Sequence, residues 1–209
     1  MPRPASGTDR RLLEAGAALV REKGFYGLTV RETCRLAGVN TGMFHYYFGS
    51  KDEFQKAVMR DVYERFMVKF RAGAAVGSTP RERLKNALIE LGKFVRDIKG
   101  TAPLLFADMA YGKKETFRFL SANFTGHMKL IAGLARECLP ASAERGRSVP
   151  FFAASVVPIM IFPVIIDGVL RRNGVKRIGE FDLSSLEEEI LSDRGIEDRA
   201  EIAVRGAGL

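Results

Sequence analysis

The 209-residue chain has no tryptophan, only two cysteines and only two histidines, and each scarcity removes a class of chemistry. Cys34 and Cys138 lie far apart with no ligand companions at metal-binding spacing, so neither a structural metal nor a disulfide framework is expected. Both fall among apolar helical positions and read as buried thiols in a reducing compartment. With histidine only at positions 45 and 127 and no nucleophile motif, acid–base or covalent catalysis finds no support, and no enzyme activity or cofactor is expected. Residues 1–7 lack an apolar core, so no secretory leader is expected and the location reads as cytoplasmic. Arg3 in that stretch reads as part of a flexible leader, with a groove-reaching arm as the sharper alternative. No run alternates apolar and polar residues convincingly, which argues against strands.

Positive charge is abundant. The formal net charge is +8 and the pI about 9.7, which favours polyanionic partners. Residues 1–75 hold 13 Lys and Arg against 8 Asp and Glu, whereas residues 180–209 hold 3 against 9. A basic beginning and an acidic end suggest a division of labour.

Helical periodicity dominates, so the expected class is all-α. A helix over 9–23 carries Leu12, Gly16, Leu19 and Val20 on one face. Capping boxes are expected at Thr29/Glu32, Ser50/Glu53 and Thr79/Glu82, the last with Pro80 at the first helical position. A long helix follows over 51–72. The stripe Leu84, Leu88, Leu91, Val95 and Ile98 marks another over 80–99. A short helix at about 102–111, a long one at about 114–138 and a very apolar one at 148–172 come next. The final pieces are expected at 184–191 and 196–206.

The most informative segment runs from Leu28 to Lys51. It reads as two short helices joined by a turn at Gly38-Val39, the helix-turn-helix arrangement that presents a second helix to DNA. On the first, Val30, Cys34 and Ala37 face inward while Arg31 and Arg35 share the exposed side. Gly38 suits a left-handed turn. On the second, Phe44 and Phe48 are four apart and should bury. Thr41, Gly42, His45 and Tyr46 then face outward, with Met43 and Tyr47 on the flanks. Thr41, His45 and the two tyrosines are short, stiff donors suited to phosphates and base edges, Gly42 lets the backbone approach closely, and Met43 can meet a thymine methyl. Lys51 occupies the first position of the next helix, where a cation sits against the positive end of the dipole and a bound phosphate would relieve the conflict.

The string Gly38-Val39-Asn40-Thr41-Gly42-Met43-Phe44-His45-Tyr46-Tyr47-Phe48-Gly49-Ser50-Lys51 resembles the TetR/AcrR family of bacterial transcriptional regulators, and the resemblance covers residues 9–58. It implies an N-terminal three-helix DNA-binding domain at 1–52 and a C-terminal helical ligand-binding and dimerisation domain at 53–209. It further implies a homodimeric regulator, most often a repressor, that holds a palindromic operator in double-stranded DNA and releases it when a small molecule binds. Carried over by position, DNA contacts fall on Thr29, Arg31, Thr41, Gly42, Met43, His45, Tyr46, Tyr47 and Lys51. The chain departs from the usual pattern at His45, where tyrosine is usual, and at Met43, where a small residue is commoner. The competing reading is a ligand-independent architectural DNA binder.

Residues 149–167 are apolar enough to raise a membrane question. Asp167 and the need of a DNA reader for chromosomal access argue against insertion. A helix apolar all round is more simply buried against its own subunit and against a partner. The resemblance places a homodimer interface at about 149–172 and 193–209. Pro158 and Pro163 are expected to kink the first of these helices and open space beside it. Candidate effector contacts are Phe94, Phe106, Met109, Phe124, Met128 and Phe162, with Asp108 and His127 as polar anchors. Abundant Phe and Met suggest a lipophilic effector such as an acyl chain, a steroid-like ring system or an apolar drug.

Overall fold

Thr29, Asn40, Thr79, Asp182 and Ser192 each lie one position before a helix and accept a hydrogen bond from the backbone of its first turn. Each satisfies a donor the helix itself leaves unpaired. Ser50 does the same for Glu53 at 3.2 Å. Of the three expected capping boxes only Thr79/Glu82 is reciprocal. The Glu32 carboxylate pairs instead with Lys23, and Glu53 pairs with Lys56 at 2.7 Å. A nearby lysine outcompetes the backbone amide for the acid.

The computed structural model describes residues 7–24, 27–123, 125–138 and 149–206. Arg3, Phe25, Tyr26, Phe124 and Pro140 lie outside the described residues. The helices are α1 (Gly7–Lys23), α2 (Val30–Ala37), α3 (Thr41–Phe48), α4 (Lys51–Ala75), α5 (Pro80–Asp97), α6 (Ala102–Ala110), α7 (Lys114–Asn123), α8 (Gly126–Cys138), α9 (Val149–Arg172), α10 (Leu183–Leu191) and α11 (Asp193–Gly206). The class is all-α, as expected.

Two expectations are corrected. The helix expected over 114–138 is two helices, with the break between Asn123 and Gly126. Gly126, a poor helix interior residue, stands at the first position of α8, where that weakness costs least. The connection after Gly174 is not strandless. β1 (Arg177–Ile178) pairs antiparallel with β2 (Phe181–Asp182), Arg177 opposite Asp182 and Ile178 opposite Phe181. Gly179 at φ 58° occupies the two-residue loop, the conformation such hairpins require. Two residues per strand are too few to leave a visible alternation.

The chain divides into two compact units, Met1–Arg65 and Phe66–Leu209. This division by packing falls inside α4, because Phe54 and Val58 belong to the first unit's core. That core joins Leu12, Val20, Leu28, Cys34, Ala37 and Phe44 to those two residues. A Cβ on Gly16 would stand 2.6 Å from Val58 and 2.9 Å from Phe54, so α1 meets α4 this closely only through a glycine.

In the second unit α5 buries its Leu84, Leu88, Leu91 and Val95 stripe and packs against α8, α9 and α11. Gly92 allows contact with Met160 and Ile196. Polar ties surround the apolar centre. Glu201 takes Arg81 at 3.1 Å and Lys85 at 2.8 Å, and Arg96 reaches Asp193 at 2.7 Å. The α9 helix runs unbroken across Pro158 and Pro163.

Candidate nucleic-acid interface and effector region

The presentation of α3 is built from both its ends. Gly38 ends α2 at φ 64°, and the Val39 amide donates to the Cys34 carbonyl at 3.0 Å, so the chain reverses tightly. Val39 packs on the core. Asn40 then starts α3, its Oδ1 accepting the Met43 amide at 2.9 Å. Sequence reasoning left Asn40 without a role, although asparagine directly before a helix is a recognised start signal. Thr33, also unassigned, is wholly buried, its hydroxyl donating to the Thr29 carbonyl at 2.8 Å.

Phe44 is completely buried, its ring edge-on to Phe54 at 4.9 Å. Phe48 packs on Phe54 at 4.7 Å but is only half-buried, because it lies in the last turn, at the margin of the core. With that anchorage Thr41, Gly42, His45 and Tyr46 are exposed, while Met43 and Tyr47 are half-buried on the flanks. Tyr47 packs against the core, and its ring meets that of Tyr46 edge-on at 5.1 Å. Thr29, Arg31 and Lys51 are exposed, as is Arg35. The result is a surface of hydroxyls, an imidazole and cations backed by a rigid aromatic wedge. It can donate to phosphates and reach base edges.

The residues expected to contact an effector separate into groups. Phe94 stacks on Phe66 at 4.1 Å, and His127 meets Phe66 at 5.9 Å and Phe70 at 6.3 Å. Burial among these rings lowers the His127 pKa from 6.5 to about 4, so the imidazole is neutral at physiological pH. Met128 is half-buried beside it in sequence. Phe106 and Phe162 meet edge-on at 6.5 Å but face outward, and Met109 is exposed with them. The reason is the register of α9. Val156, Met160 and Val164 turn inward, which puts Phe162 on the opposite side. Asp108 is tied to Lys113 at 2.6 Å and to Thr116 at 3.3 Å.

A cavity of about 100 Å³ lies elsewhere, between α9, the hairpin and α10, lined by Pro163, Ile166, Leu170, Ile178, Leu186 and Ile190 among others. None of the seven described candidate effector residues lines it. Asp167 and Glu187 at its wall are bridged by Arg171 at 2.9 and 2.7 Å. The outer side of α9 leaves Phe151, Phe162, Ile166 and Val169 exposed, and α11 leaves Ile202 exposed. The stretch Ala153–Arg172 is long and apolar enough to cross a membrane by length and composition.

Residues 12–58 match the family described as bacterial regulatory proteins, tetR family. The HTH-type transcriptional regulator BetI of Rhizobium meliloti is 32% identical over 153 residues, 69% of this chain and 74% of that protein. The similarity to BetI of Brucella anthropi is confined to 75 residues, 39% of that protein. The HTH-type transcriptional repressor KstR2 of Rhodococcus jostii is 28% identical over 131 residues, 62% of this chain and 64% of that one. Among solved structures, the fatty acid degradation regulator FadR of Bacillus halodurans superposes with a TM-score of 0.63 at 16% identity, covering 98% of both chains. The TetR-family regulator PfmR of Thermus thermophilus gives 0.61 at 14% identity, over 93% of this chain and 97% of that one.

Proposed function

Because the chain belongs to the tetR family of bacterial regulatory proteins, we propose that it is a homodimeric, effector-controlled repressor that acts on cytoplasmic DNA. Residues 1–52 read the duplex, and residues 53–209 pair the subunits and bind the effector. The observation that carries the reading is α3. A fully buried Phe44 anchors it, and Thr41, Gly42, His45 and Tyr46 stand outward together.

In this reading Thr41, Gly42, Met43, His45, Tyr46 and Tyr47 enter or flank the major groove. Thr29, Arg31 and Lys51 hold phosphates at the ends of α2 and α4, where helix N-termini favour anions. Two copies pair through the exposed apolar side of α9 and through α11, residues 149–172 and 193–209. A two-fold dimer presents its α3 helices one duplex turn, or a multiple, apart, and so demands a palindrome. The apolar side chains of Phe66, Phe70 and Phe94, packed around the neutral His127, favour a lipophilic effector. Occupancy that favours a different dimer shape would release the operator.

The test is a footprint on the DNA upstream of the protein's own gene, repeated with variants. Lys51→Ala should weaken binding uniformly across sequences and lower the salt slope by about 1, whereas Met43→Ala should change base preference. Equal, sequence-independent losses for both would refute the division between positioning and reading. A protein that binds all DNA alike and keeps it in the presence of lipophilic compounds is the architectural binder instead.

A further inference from the structure

The turn that closes α3 constrains one of its outward side chains. Gly49 has φ 69° and ψ −60°, a conformation L side chains rarely adopt. Across it the Ser50 amide donates to the Phe48 carbonyl at 2.7 Å, which makes a γ-turn with a positive-φ centre. The Gly49 amide donates back to the His45 carbonyl at 2.9 Å. Its own carbonyl oxygen lies 3.0 Å from Nδ1 of His45. Residues 45 and 49 are therefore joined twice, once through backbone and once through the imidazole.

A carbonyl oxygen can only accept, so Nδ1 must carry the proton. In a neutral imidazole the other nitrogen is then a bare acceptor. Nε2 lies on the ring edge away from Nδ1, the side chain is exposed, and its hydrogen bond among the described residues is the one at Nδ1.

We propose that Gly49 holds His45 as the Nδ1–H tautomer, so that α3 offers a fixed acceptor and selects a base carrying an exocyclic amine, cytosine N4 or adenine N6, in the major groove. The inference rests on the DNA-reading function above. Guanine presents only acceptors in that groove, N7 and O6, and thymine presents O4; a phosphate oxygen also only accepts. Each would face Nε2 with no hydrogen between them. The neighbouring hydroxyls of Thr41 and Tyr46 both donate and accept by rotating and impose no such choice.

The test selects duplexes from a randomised library with the full-length protein at pH 8, using the unaltered chain, His45→Phe and Gly49→Ala. One position per half-site should favour cytosine or adenine by about tenfold. His45→Phe should erase that preference and Gly49→Ala should weaken it. Imidazole nitrogen chemical shifts of the unaltered chain should show a protonated Nδ1, and they decide the tautomer even where Gly49→Ala fails to fold. An Nε2–H tautomer, or guanine or thymine at the responsive position, overturns the proposal. Duplexes enriched with no position responsive to His45 overturn it while leaving DNA reading intact. No enriched duplex at all removes both.

Discussion

Phe44 and His45 are neighbours in the chain with opposite surroundings, one wholly buried and the other exposed, because a helix turns about 100° per residue. The two histidines show a similar contrast. His45 is at the surface, while His127 is half-buried against Phe66 and Phe70 and kept neutral down to about pH 4. Unfolding exposes His127 and returns it to its ordinary value near 6.5. Between those values the unfolded chain binds more protons, so the stabilisation is complete above pH 6.5 and is lost as pH falls toward 4. The difference corresponds to about 3 kcal/mol. Urea midpoints measured from pH 7.5 to pH 4.5 should fall more steeply for the unaltered protein than for His127→Phe. Parallel slopes would mean that the imidazole titrates normally.

At the scale of elements, glycines set how closely helices approach. Replacing Gly16 by alanine would raise helix propensity by about 1 kcal/mol. The new methyl would also press on Val58 and Phe54, both completely buried. Overpacking of that kind costs about 1–3 kcal/mol, so Gly16→Ala should lower the thermal midpoint; a rise would show that α1 and α4 can separate freely. The helices themselves were largely legible, since the α5 stripe and the Gly38 turn announce themselves by period and residue type. The split between α7 and α8 was not, because apolar periodicity continues past Gly126 and disguises the break. Nor were the partners of Glu32 and Glu53, because each choice between a backbone amide and a lysine is settled by three-dimensional proximity. The reader's outward face followed from spacing alone. The grouping of the candidate effector residues did not, because aromatic residues far apart in sequence share a face only once α5, α6, α8 and α9 are packed.

For the whole molecule, α9 carries the largest consequence. Its inward side is core, yet Phe151, Phe162, Ile166 and Val169 remain exposed in a single copy, a patch of the kind that marks association surfaces. Phe162→Glu should shift the protein to a monomer in sedimentation and sharply weaken binding to a palindromic duplex. Binding to a half-site should stay within about twofold, since a charge on α9 leaves the phosphate contacts that dominate affinity in place. A variant that stayed dimeric would move the interface elsewhere. The cysteines are also distributed one to each compact unit: Cys34 sits in the core of the first, and Cys138 is half-buried at the end of α8 in the second. Alkylation can therefore clock the two halves independently. Modification of Cys34 must wait for the reader to open, whereas Cys138 reports on its own helix end, so an added operator duplex should slow the first rate far more than the second.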